Sequence, residues 1–290
     1  MASPFSLPAY LTRLGLPPSV SALPADLRQL SHIMGAHSRA IPFENLSCVL
    51  RQPVSMSLED VHHKLVTSRR GGYCFEQNVL LQAALRALGF ESSPLLCRVR
   101  WNKAPEEVTA FTHMALRVRC GGAAGGADAA PLQWYLADVG FAGTNSIAPI
   151  AMGAPAQVLP EGRFRTVVNG TCAGYETLQW ERSGVWRDLY MWRTDEEACA
   201  PDLAMSNHWS CTSPSARFTT SFFLARVVGE ARHHILDGRY VVRGGLAGDA
   251  ATEEVRIRDE AHLEQLLREV FGVEEVPSEL LQAWTQRFRG

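Results

Sequence analysis

The stretch RRGGYCFEQN, residues 69–78, sets a cysteine, Cys74, directly after a glycine pair and at the head of a run of helix formers. Cysteine reacts through its thiolate, and the free N–H groups and dipole of a helix N-terminus favour negative charge there. Gly71 and Gly72 let the backbone turn tightly and approach a ligand closely. The plainer reading makes Cys74 a packing residue, since free cysteine is among the most buried residue types. A thiolate nucleophile wants an imidazole within hydrogen-bond reach, and the imidazole wants a carboxylate to fix its tautomer. Nine histidines are available. His62 with His63, and His233 with His234, are adjacent pairs whose side chains diverge, and His262 opens a surface helix. His113 differs: it lies at the start of FTHMALRV, whose apolar alternation seats a strand in a sheet. Asp138 lies at the end of LQWYLADVGF, across a hairpin. If strands 113–120 and 132–138 pair antiparallel, the beginning of the first lies beside the end of the second, and His113 and Asp138 become neighbours. An aspartate closing an apolar strand is costly unless hydrogen-bonded. The alternative is that Asp138 merely starts the turn at Gly140.

The elements that must position these residues are legible in part. Residues 24–37 read as a helix with Pro24 at its first position and Leu27, Leu30 and Met34 at helical spacing, stopped by Ile41-Pro42. A second helix spans 57–68, capped by Ser57. The third runs from Cys74 to Leu88 and closes at Gly89; its apolar residues surround it almost completely, which predicts burial. The first 90 residues thus form a small helical domain. Beyond Gly89 the texture turns to strands: PLLCRVRW, THMALRVRC, QWYLADVGF, then ARFTTSFFLARVV, HHILDGRYVVRGG and TEEVRIR. Between the second and third lies GGAAGGADAAP, a glycine/alanine tract with no G-K-[ST] and no following helix, hence a hairpin connection rather than a phosphate loop. Asp259 caps a helix that ends at Gly272, and Ser278 begins a last short one.

Composition narrows the function classes. The net charge of −2 offers no basic footprint for nucleic acid, and no apolar run is long enough to span a bilayer. MASPFSLPAYLTRLG lacks the basic start, apolar core and cleavage site of a secretory signal. Seven scattered cysteines without a C-x-x-C pair argue against a zinc site or redox dithiol and for reduced thiols in a cytoplasmic protein.

RRGGYCFEQN, FTHMALRV and LADVGF, in that order, resemble the arylamine N-acetyltransferase family. YLTRLG and IPFENL match its N-terminal pattern, NHWSCTSPSARFTTSFFLAR its Asn-x-x-x-Ser-Thr-Ser-Pro segment, and LLREVFGVEE its C-terminal helix. The resemblance implies an α+β fold in three parts: a helical bundle (1–90), a β-barrel (91–205) and an α/β lid (206–290), around a core like that of cysteine proteases. It implies Cys74 as acyl-accepting nucleophile, His113 as its base and Asp138 as the orienter. Acetyl-CoA is then co-substrate in ping-pong transfer to a small arylamine, arylhydroxylamine or hydrazine, with no metal. The Cys74 N–H is expected as one oxyanion donor, and the strand edge at 109–112 as the second. Thr109, Gly140, Trp209, Ser215 and Phe218 match positions near the coenzyme. Phe43 and Phe141 match the amine pocket, and Glu44 with Arg70 a pair tying the helical domain to the nucleophile loop.

Two departures stand out. The family pattern Asp-x-Gly-Phe-Gly is Asp138-Val139-Gly140-Phe141-Ala142-Gly143 here, so Ala142 is a replacement or an insertion. One residue is inserted, or the register shifts, around Cys211. A malonyl or propionyl donor is therefore an alternative within the family. Outside it, the same three residues suit a peptidase or transglutaminase, and a scaffold with a decayed site would have been free to lose any of them.

Overall fold

The computed structural model describes residues 4–121, 132–142, 146–245 and 253–289. Most of the glycine/alanine tract and Gly143 lie outside these residues. The chain opens with helices α1 (Leu7–Arg13) and α2 (Leu27–Ala40), a two-residue strand β1 (Phe43–Glu44), and short helices α3 (Leu46–Val49) and α4 (Leu58–His62). Residues His63–Thr67 prolong α4 as a π-type turn, and α5 spans Cys74–Ala87. Helix α2 starts three residues later than Pro24 predicts. The Asp26 carboxylate accepts the Gln29 N–H (2.9 Å), and a side-chain cap defines a helix start better than a proline does.

Helix α5 is the hub. The Glu76 carboxylate reaches back to the Tyr73 N–H (3.1 Å), fixing the first turn, and Gly89 (φ +87°) follows its C-terminus. As its composition predicts, α5 is buried over Cys74 to Asn78 and at Leu80, Leu81, Ala84 and Leu85. Its polar members are paired. Gln77 donates to the Pro42 carbonyl (2.8 Å) and meets His37 (2.6 Å), which in turn bonds the Tyr10 hydroxyl (2.9 Å). That buried chain ties α1, α2 and α5 to the loop before the nucleophile. Burial pulls His37 down to about 4, so it serves this chain as a neutral imidazole.

Eight strands follow in one antiparallel sheet: β2 (Glu91–Val99), β3 (Phe111–Cys120), β4 (Gln133–Ala137), β5 (Ile150–Ala151), β6 (Gln157–Leu159), β7 (Gly162–Val168), β8 (Tyr175–Arg182) and β9 (Val185–Arg193). Their order is β5-β4-β3-β2-β9-β8-β7-β6. The two edge strands approach each other, and a side chain completes the curl. The Gln157 amide accepts from the Ala151 N–H (2.8 Å) and donates to the Ala151 carbonyl (2.9 Å), as a neighbouring strand would. Phe164, Trp180, Leu189, Tyr190 and Trp192 fill the interior. The strands from 157 to 193 escape the sequence reading, because charged residues such as Arg163, Arg165, Glu181 and Arg187 interrupt their apolar pattern.

Helix α6 (Ala200–Thr212) and the turn α7 (Arg217–Thr220) lead into a second antiparallel sheet, β10 (Phe223–Val228), β11 (Ala231–Leu236), β12 (Arg239–Arg243) and β13 (Glu253–Arg256). Helices α8 (Glu260–Glu269) and α9 (Ser278–Arg287) pack on it. The segment ARFTTSFFLARVV, read as one strand, is helical at its start over Arg217–Thr220, where the Thr219 and Thr220 hydroxyls bond back to the Ala216 carbonyl (3.0 and 2.9 Å). Strand β1 pairs with β10, and Leu46 and Val49 join the core of this second sheet, so the N-terminal helices and the C-terminal layer are knitted together. No helix among the described residues is long and apolar enough to cross a membrane.

Candidate active site

Cys74, His113 and Asp138 come together as the hairpin argument requires. Strands β3 and β4 are antiparallel from Cys120↔Gln133 to Leu116↔Ala137. His113 lies just beyond the last pair and Asp138 directly after it. His113 Nε2 is 2.8 Å from Asp138 Oδ2. The imidazole is also hydrogen-bonded to Cys74, whose Sγ lies 3.8 Å from the Thr112 carbonyl. The segment 109–112 thus turns an acceptor toward the sulfur, where the sequence reading expects a donor. All three residues are buried, at 1% exposure for Cys74, 2% for His113 and 5% for Asp138.

Burial alone pulls His113 down. The Asp138 carboxylate overrides it, with Cys74 adding to the effect, and His113 is pushed up to about 10. Burial likewise opposes the Asp138 charge, but His113, Asn78 and the Gly140 N–H hold its carboxyl below the usual range. The pair is therefore an imidazolium beside a carboxylate at neutral pH. Elsewhere, burial raises the thiols of Cys48 and Cys97, and Cys120 to about 11, so those cysteines are kept as inert thiols.

Two members of the site escape the sequence reading. Asn78 sits one turn beyond Cys74 on α5. Its amide donates to the Met114 carbonyl (2.7 Å) and to Asp138 Oδ1 (3.0 Å), while its oxygen accepts the Val139 N–H (3.3 Å). Asn78 closes the polar run Glu76-Gln77-Asn78 in the buried first turn of α5, and buried polar side chains must find partners. Tyr190, on β9, packs tilted against His113 with ring centroids 4.7 Å apart and hydrogen-bonds Asp138 through its hydroxyl. Nothing local in the sequence connects β9 to β3.

Glycines set the close approaches. A Cβ at Gly71 would stand 2.3 Å from the Pro42 carbonyl oxygen, and one at Gly140 would stand 2.6 Å from the Cys74 Cα. Gly140 therefore spaces the β4 end from the nucleophile helix. Replacing Gly140 with Ala should destabilise the protein by about 1–3 kcal/mol through overpacking. It should also slow modification of Cys74 by iodoacetamide; a variant with wild-type urea midpoint and alkylation rate would refute this spacing role.

Beneath the nucleophile loop, Arg70 bonds Glu44 (2.7 Å) and Lys64 bonds Glu76 (2.7 Å). The Glu44–Arg70 tie to the loop is thus present. Phe43 packs on Phe218 and Phe223 (5.7 and 5.6 Å), and Phe218 on Tyr73 (5.4 Å). Phe141 sets its edge against His113 (5.2 Å). A cleft of about 350 Å³ opens beside Phe141 and Phe218, with Ala142 in its wall. Thr109, Trp209 and Ser215 lie outside its lining. Thr109 gives its carbonyl to Arg98, Trp209 is 41% exposed on α6, and Ser215 meets the Ser213 hydroxyl (3.1 Å). Cys211 is a buried member of α6. No cluster of metal-ligating side chains occurs among the described residues.

Residues 26–279 match the sequence profile of a family described as N-acetyltransferase. An arylamine N-acetyltransferase of Mycolicibacterium smegmatis is 36% identical over 272 residues, covering 92% of each chain. A Salmonella typhimurium protein named arylamine N-acetyltransferase / N-hydroxyarylamine O-acetyltransferase is 33% identical over 92% of this chain and 88% of its own. Among solved structures, the Mycobacterium marinum arylamine N-acetyltransferase in complex with CoA superposes with a TM-score of 0.85 at 28% identity, covering 97% of this chain and 99% of that one.

Proposed function

The chain belongs to the arylamine N-acetyltransferase family, and we propose that it moves an acetyl group from acetyl-CoA to an arylamine, arylhydroxylamine or hydrazine through a thioester on Cys74. The observation that carries this reading is the buried Cys74–His113–Asp138 contact set at the mouth of α5. In the first half-reaction the Cys74 sulfur, its proton held by His113, attacks the thioester carbonyl carbon. The carbonyl electrons shift to oxygen, and the Cys74 N–H at the helix terminus is the donor we assign to that charge. Collapse breaks the bond to the coenzyme sulfur, which leaves with the proton from His113. Exchange of one thioester for another is nearly balanced, so positioning and charge stabilisation are what the protein must add.

In the second half-reaction the amine nitrogen attacks the Cys74 thioester, His113 takes the proton the nitrogen sheds, and the Cys74 thiolate departs. Asp138 holds the imidazole in one orientation throughout, and Asn78, Tyr190 and Gly140 hold Asp138. Phe43 and Phe141 are kept as amine-pocket residues and Phe218 as a coenzyme contact, since Phe141 and Phe218 flank the same cleft. Thr109, Trp209 and Ser215 remain coenzyme candidates on a separate surface, and Gly140 acts chiefly as a spacer. The three-part division at residues 90 and 205 is retained with these roles: nucleophile, base with orienter, and cover. A reducing cytoplasm suits an enzyme that works through a free thiol.

Ping-pong transfer has a kinetic signature. Initial rates over a grid of acetyl-CoA and aromatic amine concentrations should give parallel double-reciprocal lines. Intersecting lines would mean that both substrates bind before any group moves, and would sink the thioester route.

A further inference from the structure

Helix α6 supplies none of the three reacting groups, yet two successive residues on it reach the chains that carry the nucleophile and the base. We propose that Ser206 and Asn207 are positioning residues: together they clamp the Cys74 turn to the His113 strand and so set the contact between thiol and imidazole. The inference rests on the transferase reading and adds to it what holds the two groups in register.

The nucleophile end of the clamp is a buried phenol. Tyr73 stands directly before Cys74, is fully buried, and packs its ring on Phe75 (5.5 Å) and Phe218 (5.4 Å). Its hydroxyl donates to the Asn207 side-chain oxygen and lies 3.3 Å from the Asn207 main-chain carbonyl. The Asn207 amide is held in that orientation from its other end, where the NH2 donates to the Val54 carbonyl (2.9 Å). Asn207 is buried as well, and a buried polar group that loses its partner costs more than one at the surface.

The base end is a break in the ladder between β2 and β3. Cys97 pairs with His113 and Arg98 with Phe111, so Thr112 is the extra residue of a β-bulge. A bulge re-aims the groups beside it, and here the Thr112 carbonyl faces the Cys74 sulfur at 3.8 Å. The Ser206 hydroxyl donates to the Phe111 carbonyl, the group immediately before the bulge. A strand is locally disrupted at such a point, so a bond from outside the sheet fixes where His113 begins.

Successive residues on a helix point about 100° apart, which lets Ser206 face β3 while Asn207 faces the head of α5. One rigid turn of α6 thus links residue 73 to residue 111. The two bonds act in series: releasing either end frees the same contact.

The test measures single-turnover transfer of acetyl from acetyl-CoA to Cys74 in the wild type, Tyr73→Phe, Ser206→Ala and the double variant. Tyr73→Phe keeps the ring and Ser206→Ala keeps the helix, so each removes one end of the clamp. Expected is loading about tenfold slower in each single variant at saturating acetyl-CoA, with the half-saturating concentration unchanged. The double variant should load no more slowly than the slower single one, since both changes release one contact. Losses that multiply, to about a hundredfold in the double variant, would make the bonds two independent packing contacts and overturn the clamp. Wild-type loading in the single variants would overturn it too. So would a loss confined to the half-saturating acetyl-CoA concentration, which would give α6 to coenzyme binding. If one variant does not fold, the rate and affinity of the other still decide between these results. Failure of the wild type to take up any acetyl group is the separate result that would remove the transferase reading itself.

Discussion

Mixed with acetyl-CoA and no amine, the protein should gain the mass of one acetyl group on the peptide containing Cys74, and the Cys74→Ser variant should gain none. The expectation follows from where the seven cysteines sit. Cys48, Cys97 and Cys120 are buried thiols whose protons are held more tightly than usual. Among the described cysteines, Cys74 is the one hydrogen-bonded to His113, and it stands at a helix N-terminus, where negative charge is favoured. A serine there keeps the shape and loses the thiolate, because an alcohol stays protonated at neutral pH. Amine acetylation should fall by at least about 10⁴-fold, the scale on which removal of a covalent nucleophile acts. The fold should survive, since one sulfur-to-oxygen change leaves α5 packed as before, and unchanged circular dichroism would check it. An acetyl group on any other cysteine, or retained turnover in Cys74→Ser, would break the assignment.

The parts of this site that were legible are those fixed by short-range rules. Cys74 stands out because a glycine turn and a helix start are both local patterns. His113 and Asp138 stand out because a hairpin converts two strand ends into neighbours whatever the rest of the sheet does. Asn78 was readable in principle, as part of the polar run Glu76-Gln77-Asn78 directly after the nucleophile, at the start of a helix read as buried. Tyr190 was not, because it reaches His113 only when β9 pairs with β2, roughly a hundred residues apart in the chain, and no local signal encodes that pairing. The same reasoning separates the elements. Helix α5 announces itself by composition, whereas α6 hides because its Met205 and Trp209 are exposed and its buried positions include Ser206, Asn207 and Ser210. Resemblance covered what periodicity could not: it implied a barrel whose later strands are interrupted by charged residues, and whose curl is completed by Gln157.

Asp138→Asn is the sharpest test of the orienter, because the hydrogen bonds around it dictate which way the new amide must face. Asp138 Oδ1 accepts from Asn78 (3.0 Å) and from the Gly140 N–H (2.8 Å). An asparagine must keep its carbonyl oxygen toward those two donors, which turns its NH2 toward His113 Nε2. The imidazole then accepts on Nε2 and carries its proton on Nδ1, so it cannot take the proton of Cys74. Acyl loading should fall by about 10³–10⁴-fold. The pH dependence follows with its sign. His113 is raised from 6.5 to about 10, so wild-type loading should persist above neutrality and decline as pH rises through about 10, when the imidazolium is lost. In the variant, burial is left to pull His113 down, and the residual rate should decline at lower pH. Stability moves in the same sense. The imidazolium contribution is complete below pH 6.5 and is lost as pH climbs toward 10, while the Asp138 contribution exists above about pH 3.8 and is lost as its depressed pKa is approached. Unfolding free energies from urea titration near pH 6 should therefore separate wild type from variant by about 3 kcal/mol, and the gap should narrow by pH 10. If Asp138→Asn loads as fast as wild type, Asp138 is only the residue that starts the turn at Gly140, and His113 is oriented by something else.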